Sequence, residues 1–183
     1  GADLPIPAST FIPGIEAFSI PPTTCPMVRV YHRFGKKWEG AVSGEPIYDR
    51  VPWRVNRTEN GWVYRYIMGG PKSTVFTFNA DHSEAEIFHA DESIFLRGGL
   101  HSLTTMPTDQ IFLARLLAER SGAILHAGGL SWADRGLALV GHSDAGKSTT
   151  VEMARDRATI LCDDRVVIRG NGGTEFRLYG TWS

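Results

Sequence analysis

The sequence predicts an α/β chain in two parts, a mostly antiparallel β region over residues 1–105 and a compact α/β core over residues 106–183. Two observations carry this reading. The first part holds short runs rich in Tyr, Trp, Val and Phe, separated by turn residues. The second holds an apolar run, a glycine-rich loop, a short helical stretch and another apolar run, in that order.

In the first part the expected strands are Met27 to Phe34, Trp53 to Asn56, Gly61 to Met68, Thr74 to Asn79, Glu86 to His89 and Ile94 to Arg97. The turns between them are signalled by Glu59-Asn60-Gly61, Gly69-Gly70-Pro71 and Ala80-Asp81-His82-Ser83. Trp38, Trp53, Trp62, Tyr64 and Tyr66 could form a stacking platform, but aromatics in short strands are expected as core or cross-strand pairs. His82, His89 and His101 fall in different elements without ligand spacing and are expected as surface or sheet residues. There is no internal repeat and no low-complexity tract.

Between the parts, Ile111 to Arg120 reads as a helix with Phe112, Leu113, Leu116 and Leu117 on one face. Thr108 or Asp109 can cap its start, and Gly122 follows its end. It is expected to pack the β-rich part against the core. Arg135 to Val140 and Ala158 to Cys162 are expected as buried strands, with a helix over Lys147 to Asp156.

The loop between that strand and helix is Gly141-His142-Ser143-Asp144-Ala145-Gly146-Lys147-Ser148, followed by Thr149. Two glycines four residues apart, then Lys and Ser, form the phosphate-loop pattern. Such a loop wraps a polyphosphate in backbone N–H groups, which side chains at the glycines would obstruct. Lys147 is expected to reach the β- and γ-phosphates and the Ser148 hydroxyl to ligate Mg²⁺. Asp163-Asp164 ends the next strand, before Val166-Val167-Ile168. Paired carboxylates near a phosphate loop can divide two tasks, one holding Mg²⁺ and the other accepting the proton of an acceptor group.

Ile124-Leu125-His126-Ala127-Gly128-Gly129-Leu130, the loop, and Leu161-Cys162-Asp163-Asp164-Arg165-Val166-Val167 together resemble the HPr kinase/phosphorylase and phosphoenolpyruvate carboxykinase superfamily over Ile111 to Ser183. The resemblance implies an HPr kinase/carboxykinase-type P-loop core and Mg²⁺-ATP-dependent phosphoryl transfer to a hydroxyl acceptor such as a serine of a small protein or peptide. It implies Asp163 as general base, Asp164 in support of metal or water, and His126 beside the transferred phosphoryl group. The strands ending in His126, Val140 and Cys162 are expected to be sheet neighbours with their carboxyl ends at the phosphates, where α/β sheets place ligands. The family's kinases carry a further acidic ligand and a basic loop after the Asp-Asp strand, whereas this chain runs to Tyr179-Gly180-Thr181-Trp182-Ser183, and Glu175 is the sole carboxylate after Asp164. The core is therefore expected to be incomplete at its C-terminus, through either truncation or loss of catalytic parts. The alternatives are a non-catalytic ATP-binding sensor or accessory module, and a carboxykinase-like enzyme.

A formal charge of −1 over 183 residues offers no strong field for nucleic acid or an anionic membrane surface. No apolar run approaches the roughly 20 residues that span a bilayer, and no signal segment is recognisable. Cys25 and Cys162 lie in unlike settings, and neither a disulfide nor a zinc site is expected. Reduced thiols and a loop of this kind together suggest the cytoplasm.

Overall fold

The computed structural model describes residues 1–183 except 20, 22–27, 36–37, 41, 43–44, 68–73, 105–107, 183 and the side chain of Glu16. In chain order these residues form α1 (Pro13–Glu16), β1 (Arg29–Phe34), β2 (Pro46–Arg50), β3 (Trp53–Thr58), β4 (Gly61–Tyr66), β5 (Val75–Asn79), β6 (Glu84–His89), α2 (Ser93–Arg97) and α3 (Thr108–Ala118). There follow β7 (Gly122–Trp132), β8 (Arg135–Val140), α4 (Lys147–Met153), β9 (Thr159–Cys162), β10 (Arg165–Gly170) and β11 (Phe176–Tyr179). The described chain is thus mixed α/β and mostly strand, with two sheets. It divides into two units, Gly1–Thr10 with Ile20–Leu100, and Phe11–Ser19 with His101–Ser183. No helix among the described residues is long and apolar enough to cross a membrane.

The first unit is one six-stranded sheet in the order β1-β6-β5-β4-β3-β2. Its ladders are antiparallel except β1 against β6, which is parallel. Period-two alternation buries Ala85, Ile87 and His89 of β6 while Glu84 stays exposed. The expected turns at 59–60 and 80–83 are present, and Asp81 secures the second by accepting the Ser83 N–H at 3.0 Å. Gly61 is required at the first turn, because its φ is +146° and a Cβ would lie 1.9 Å from the Phe78 carbonyl oxygen. The aromatics pack within the sheet as expected. Trp53 faces Tyr66 across the ladder with rings 5.3 Å apart, and Tyr64 is buried against Phe78.

Three expectations for this unit are corrected. Ile94 to Arg97 is helical, because Asp91 accepts the Ser93 N–H at 2.9 Å to start a turn that Gly98, at φ +76°, ends. This local Asx turn outweighs the β propensity of Ile94 and Phe95. Second, β2 was not anticipated: all its residues are exposed, so it lacks an apolar alternation and exists through pairing with β3. Third, His82 is a buried residue rather than a surface one, in van der Waals reach of Trp62 and Phe78. Met27, Met68, the Gly69-Gly70-Pro71 turn and Cys25 lie outside the described residues.

In the second unit the long strand β7 organises everything else. Along one edge it pairs with β8 through Ala127–Trp132. Along the other, β9 pairs with Gly129–Ser131 through a register shift between Gly129 and Leu130, and β10 pairs with Gly122–His126, so residues 159–169 follow β7 with a break in the ladder at Asp163-Asp164. β11 pairs with β10 on its far side. The core is Ala127, Cys162 and Val166, with Leu125 and Leu178 packed against it. α3 and α4 both rest on β7. Phe112 and Leu117 of α3 are buried, consistent with the apolar face read from the sequence.

Strand β8 forms where expected but is not buried; Val140 is 71% exposed. It is paired along β7 alone among the described residues, so its outward side chains meet solvent. In β9 only Cys162 is buried. Helix α4 ends at Met153 rather than Asp156, where Ala154 to Arg157 turn back through Ala158 N–H donation to the Ala154 carbonyl at 2.9 Å.

Candidate functional site

Antiparallel pairing decides how the sequence-predicted residues meet. β7 runs opposite to β8, β9 and β10. The expectation of three strands presenting their carboxyl ends together is therefore corrected: Val140 ends β8 opposite Ala127, Cys162 ends β9 opposite Gly129, and His126 sits in the middle of β7. Scattered in sequence, these positions become neighbours.

Glycines make the approach possible. A Cβ on Gly128 would stand 2.6 Å from Val151 Cγ2 of α4, and one on Gly129 would stand 2.4 Å from Val166 Cγ1. The Gly128-Gly129 pair therefore lets α4 and β10 close onto β7. Within the loop, a Cβ on Gly141 would press on the Ala145 methyl at 2.9 Å, and Gly146 adopts φ +81° immediately before α4. Asp144 shares the left-handed region at φ +66°, which Asp tolerates better than most residues.

The result is a cleft of about 600 Å³ lined by His126, Asp163, Asp164 and the loop residues Ser143, Asp144, Gly146, Lys147, Ser148 and Thr149. Gly141, His142 and Ala145 do not line it. Gly141 and His142 instead supply the carbonyls that receive the Lys147 ammonium, at 2.9 and 3.0 Å. Thr150 returns its hydroxyl to the Gly146 carbonyl at 2.9 Å, tying the loop to the first turn of α4.

The two carboxylates differ. Asp164 Oδ1 lies 3.1 Å from His126 Nδ1 and its Oδ2 lies 2.7 Å from Arg165 Nη1. A proton on His126 Nδ1 directed at Asp164 leaves Nε2 as the free ring nitrogen. Asp163 is exposed, and no described residue forms an ion pair or hydrogen bond with its carboxylate. Arg165 was assigned no role from the sequence; its adjacency to the acidic pair was the available signal.

Behind the carboxylates the last described residues hold β9 and β10 together. A Cβ on Gly180 would lie 2.1 Å from the Leu161 carbonyl oxygen, so the chain passes flush against β9. The Thr181 hydroxyl donates to the Arg165 carbonyl at 2.7 Å and lies 3.4 Å from Cys162 Sγ. Trp182 meets Phe18 edge-on at 5.7 Å. Its side chain also hydrogen-bonds Asp109, whose carboxyl burial pushes up despite that bond and the one from Ser102.

The donors in the cleft suit a hard cation. Ser148 offers a hydroxyl and Asp163 and Asp164 offer carboxylates, whereas no group of three or more His, Cys, Asp or Glu among the described residues forms a cage. Mg²⁺ in nucleotide sites takes few protein ligands and completes its shell with phosphate and water. As a class, the chain is a mixed α/β protein with a polar cleft between a glycine loop and an acidic pair. No family model matches it, and no curated protein does.

Proposed function

We propose that this chain carries an HPr kinase/carboxykinase-type P-loop core and transfers the γ-phosphoryl group of ATP, with Mg²⁺, to a hydroxyl acceptor such as a serine of a small protein or peptide. The observation that supports this most is the shared cleft, in which His126, Lys147, Ser148, Asp163 and Asp164 converge from three separated segments. A polyphosphate entering it would replace the Gly141 and His142 carbonyls as partner of the Lys147 ammonium, a charge-assisted contact. Ser148 and Asp164 would hold Mg²⁺, which offsets phosphate charge when bound. Although Asp164 faces His126 and Arg165, each carboxylate oxygen has a second lone pair to offer.

Asp163, whose carboxylate forms no ion pair or hydrogen bond with a described residue, suits the general base. It would take the proton of the acceptor hydroxyl as that oxygen bonds to the γ-phosphorus and the bond from phosphorus to the ADP oxygen breaks. His126 Nε2 would sit beside the transferred group. Catalysis of this kind is mostly positioning and electrostatics.

The test joins calorimetry with transfer of radiolabelled phosphate from ATP to candidate acceptor proteins of the same organism. Lys147→Ala should weaken Mg²⁺-ATP binding several-fold or more, since a contact of about 1.5–3 kcal/mol is lost. Asp163→Asn should keep that affinity and abolish transfer, because the amide cannot accept the proton. Equal ATP affinity in parent and Lys147→Ala rejects the nucleotide site. ATP binding without transfer to the acceptors tested favours the sensor reading.

A further inference from the structure

The β10–β11 hairpin carries chemistry that the phosphate-loop cleft does not use. Arg169 faces Arg177 directly across the antiparallel ladder. Like charges so placed destabilise a strand pair. Arg120 approaches from the end of α3, and the three arginines line a cleft of about 440 Å³ with Ser121 and Tyr179.

No described carboxylate pairs with Arg120, Arg169 or Arg177, whereas Arg29, Arg54 and Arg155 each face an acid within 3.1 Å. Glu175, in the hairpin turn, lies 3.4 Å from the Asn171 amide and does not line the cleft. Arg120 spends one N–H on the Leu116 carbonyl at 3.0 Å, which leaves most of its five donors. Three unneutralised guanidinium groups around one concavity cost stability without a ligand and concentrate positive potential. Their planar forks match the oxygens of phosphate or carboxylate.

We infer that this cleft is a second anion site, built for a small phosphorylated metabolite bearing at least two negative charges. Its volume falls within the range of about 300–1,000 Å³ typical of small-molecule sites. It shares no lining residue with the phosphate-loop cleft. Arg169 pairs with Gly122 and Arg165 with His126, so four strand positions, roughly 13 Å, separate the two along β7.

The experiment titrates inorganic pyrophosphate into the full chain carrying Lys147→Ala, which disables the phosphate loop, with citrate as the carboxylate probe. Saturable pyrophosphate binding is expected, weakened about ten-fold or more by Arg169→Gln with Arg177→Gln. Absence of binding in the Lys147→Ala chain, or binding indifferent to the arginines, overturns the proposal. Arginine-dependent binding of citrate but not pyrophosphate overturns the phosphate assignment. Thermal unfolding without ligand keeps the test clear of folding defects: removing the like-charge pair should leave the melting temperature equal or higher. A lower one would mean that the arginines build the hairpin, and would also overturn the site.

Discussion

Gly128→Ala should wedge α4 away from β7 and weaken the fold of the second unit. The added Cβ would stand 2.6 Å from Val151 Cγ2, about 1 Å inside a normal carbon contact of roughly 3.5–4.0 Å. Val151 is buried and β-branched, and in a helix its χ1 has one strongly preferred setting, so it cannot swing aside without cost. Overpacking of this kind costs about 1–3 kcal/mol, offset by about 0.4–1 kcal/mol because alanine stiffens the unfolded chain. The net loss is about 1–2 kcal/mol, or a fall of about 2–8 °C in melting temperature for a protein of this size. Because α4 begins with Lys147 and Ser148, the Mg²⁺-ATP affinity expected from the proposed function should fall with it. Urea unfolding and calorimetry of Gly128→Ala, Val151→Ala and the double variant form the assay. Val151→Ala makes room for the new methyl, so the double variant should be more stable than the sum of the single effects by about 1 kcal/mol or more. Strict additivity, or a Gly128→Ala chain as stable as its parent, would refute the steric account.

Two further outcomes follow from the packing. His32 Nδ1 and His89 Nε2 lie 2.9 Å apart in the core of the first unit, and burial, then for His32 the neighbouring His89 and the N-terminal ammonium, lower each pKa from 6.5 to about 4, with Asp3 opposing the shift at His89. The unfolded chain therefore takes up protons first as pH falls, and stability should drop as pH falls from 6.5 to about 4; denaturant unfolding across that window checks it, and a flat profile would refute neutral burial. Gly180→Ala should cost about 3 kcal/mol or more, above Gly128→Ala, because its Cβ meets the Leu161 backbone at 2.1 Å rather than a side chain; a loss under about 1 kcal/mol in urea unfolding would show that the chain end is not seated on β9.

Local chemistry was legible in the residues themselves. The glycine-bounded octet Gly141 to Ser148, the Asp163-Asp164 pair and the apolar face of α3 are short-range patterns, so their elements could be read without knowing what they pack against. The turns at 59–60 and 80–83 were legible for the same reason, since Gly61 and Asp81 act on their own backbone neighbourhood. Where two local signals competed, at Ile94 to Arg97, the turn set by Asp91 prevailed over side-chain propensity.

Tertiary structure alone decided which elements are buried and which side chains meet. Apolar β8 is exposed because it lies at a sheet edge, a fact about pairing that no window of residues contains. The same holds for the burial of His32, His82 and His89, and for Arg169 opposite Arg177. Long-range antiparallel register set His126 opposite Arg165 and beside Asp164, giving the two aspartates different surroundings. The sequence by itself determined the chemical groups and the local turns that hold them, because those depend on residues a few positions apart. Their convergence required β7 to carry partners on both edges, which only the folded chain can specify.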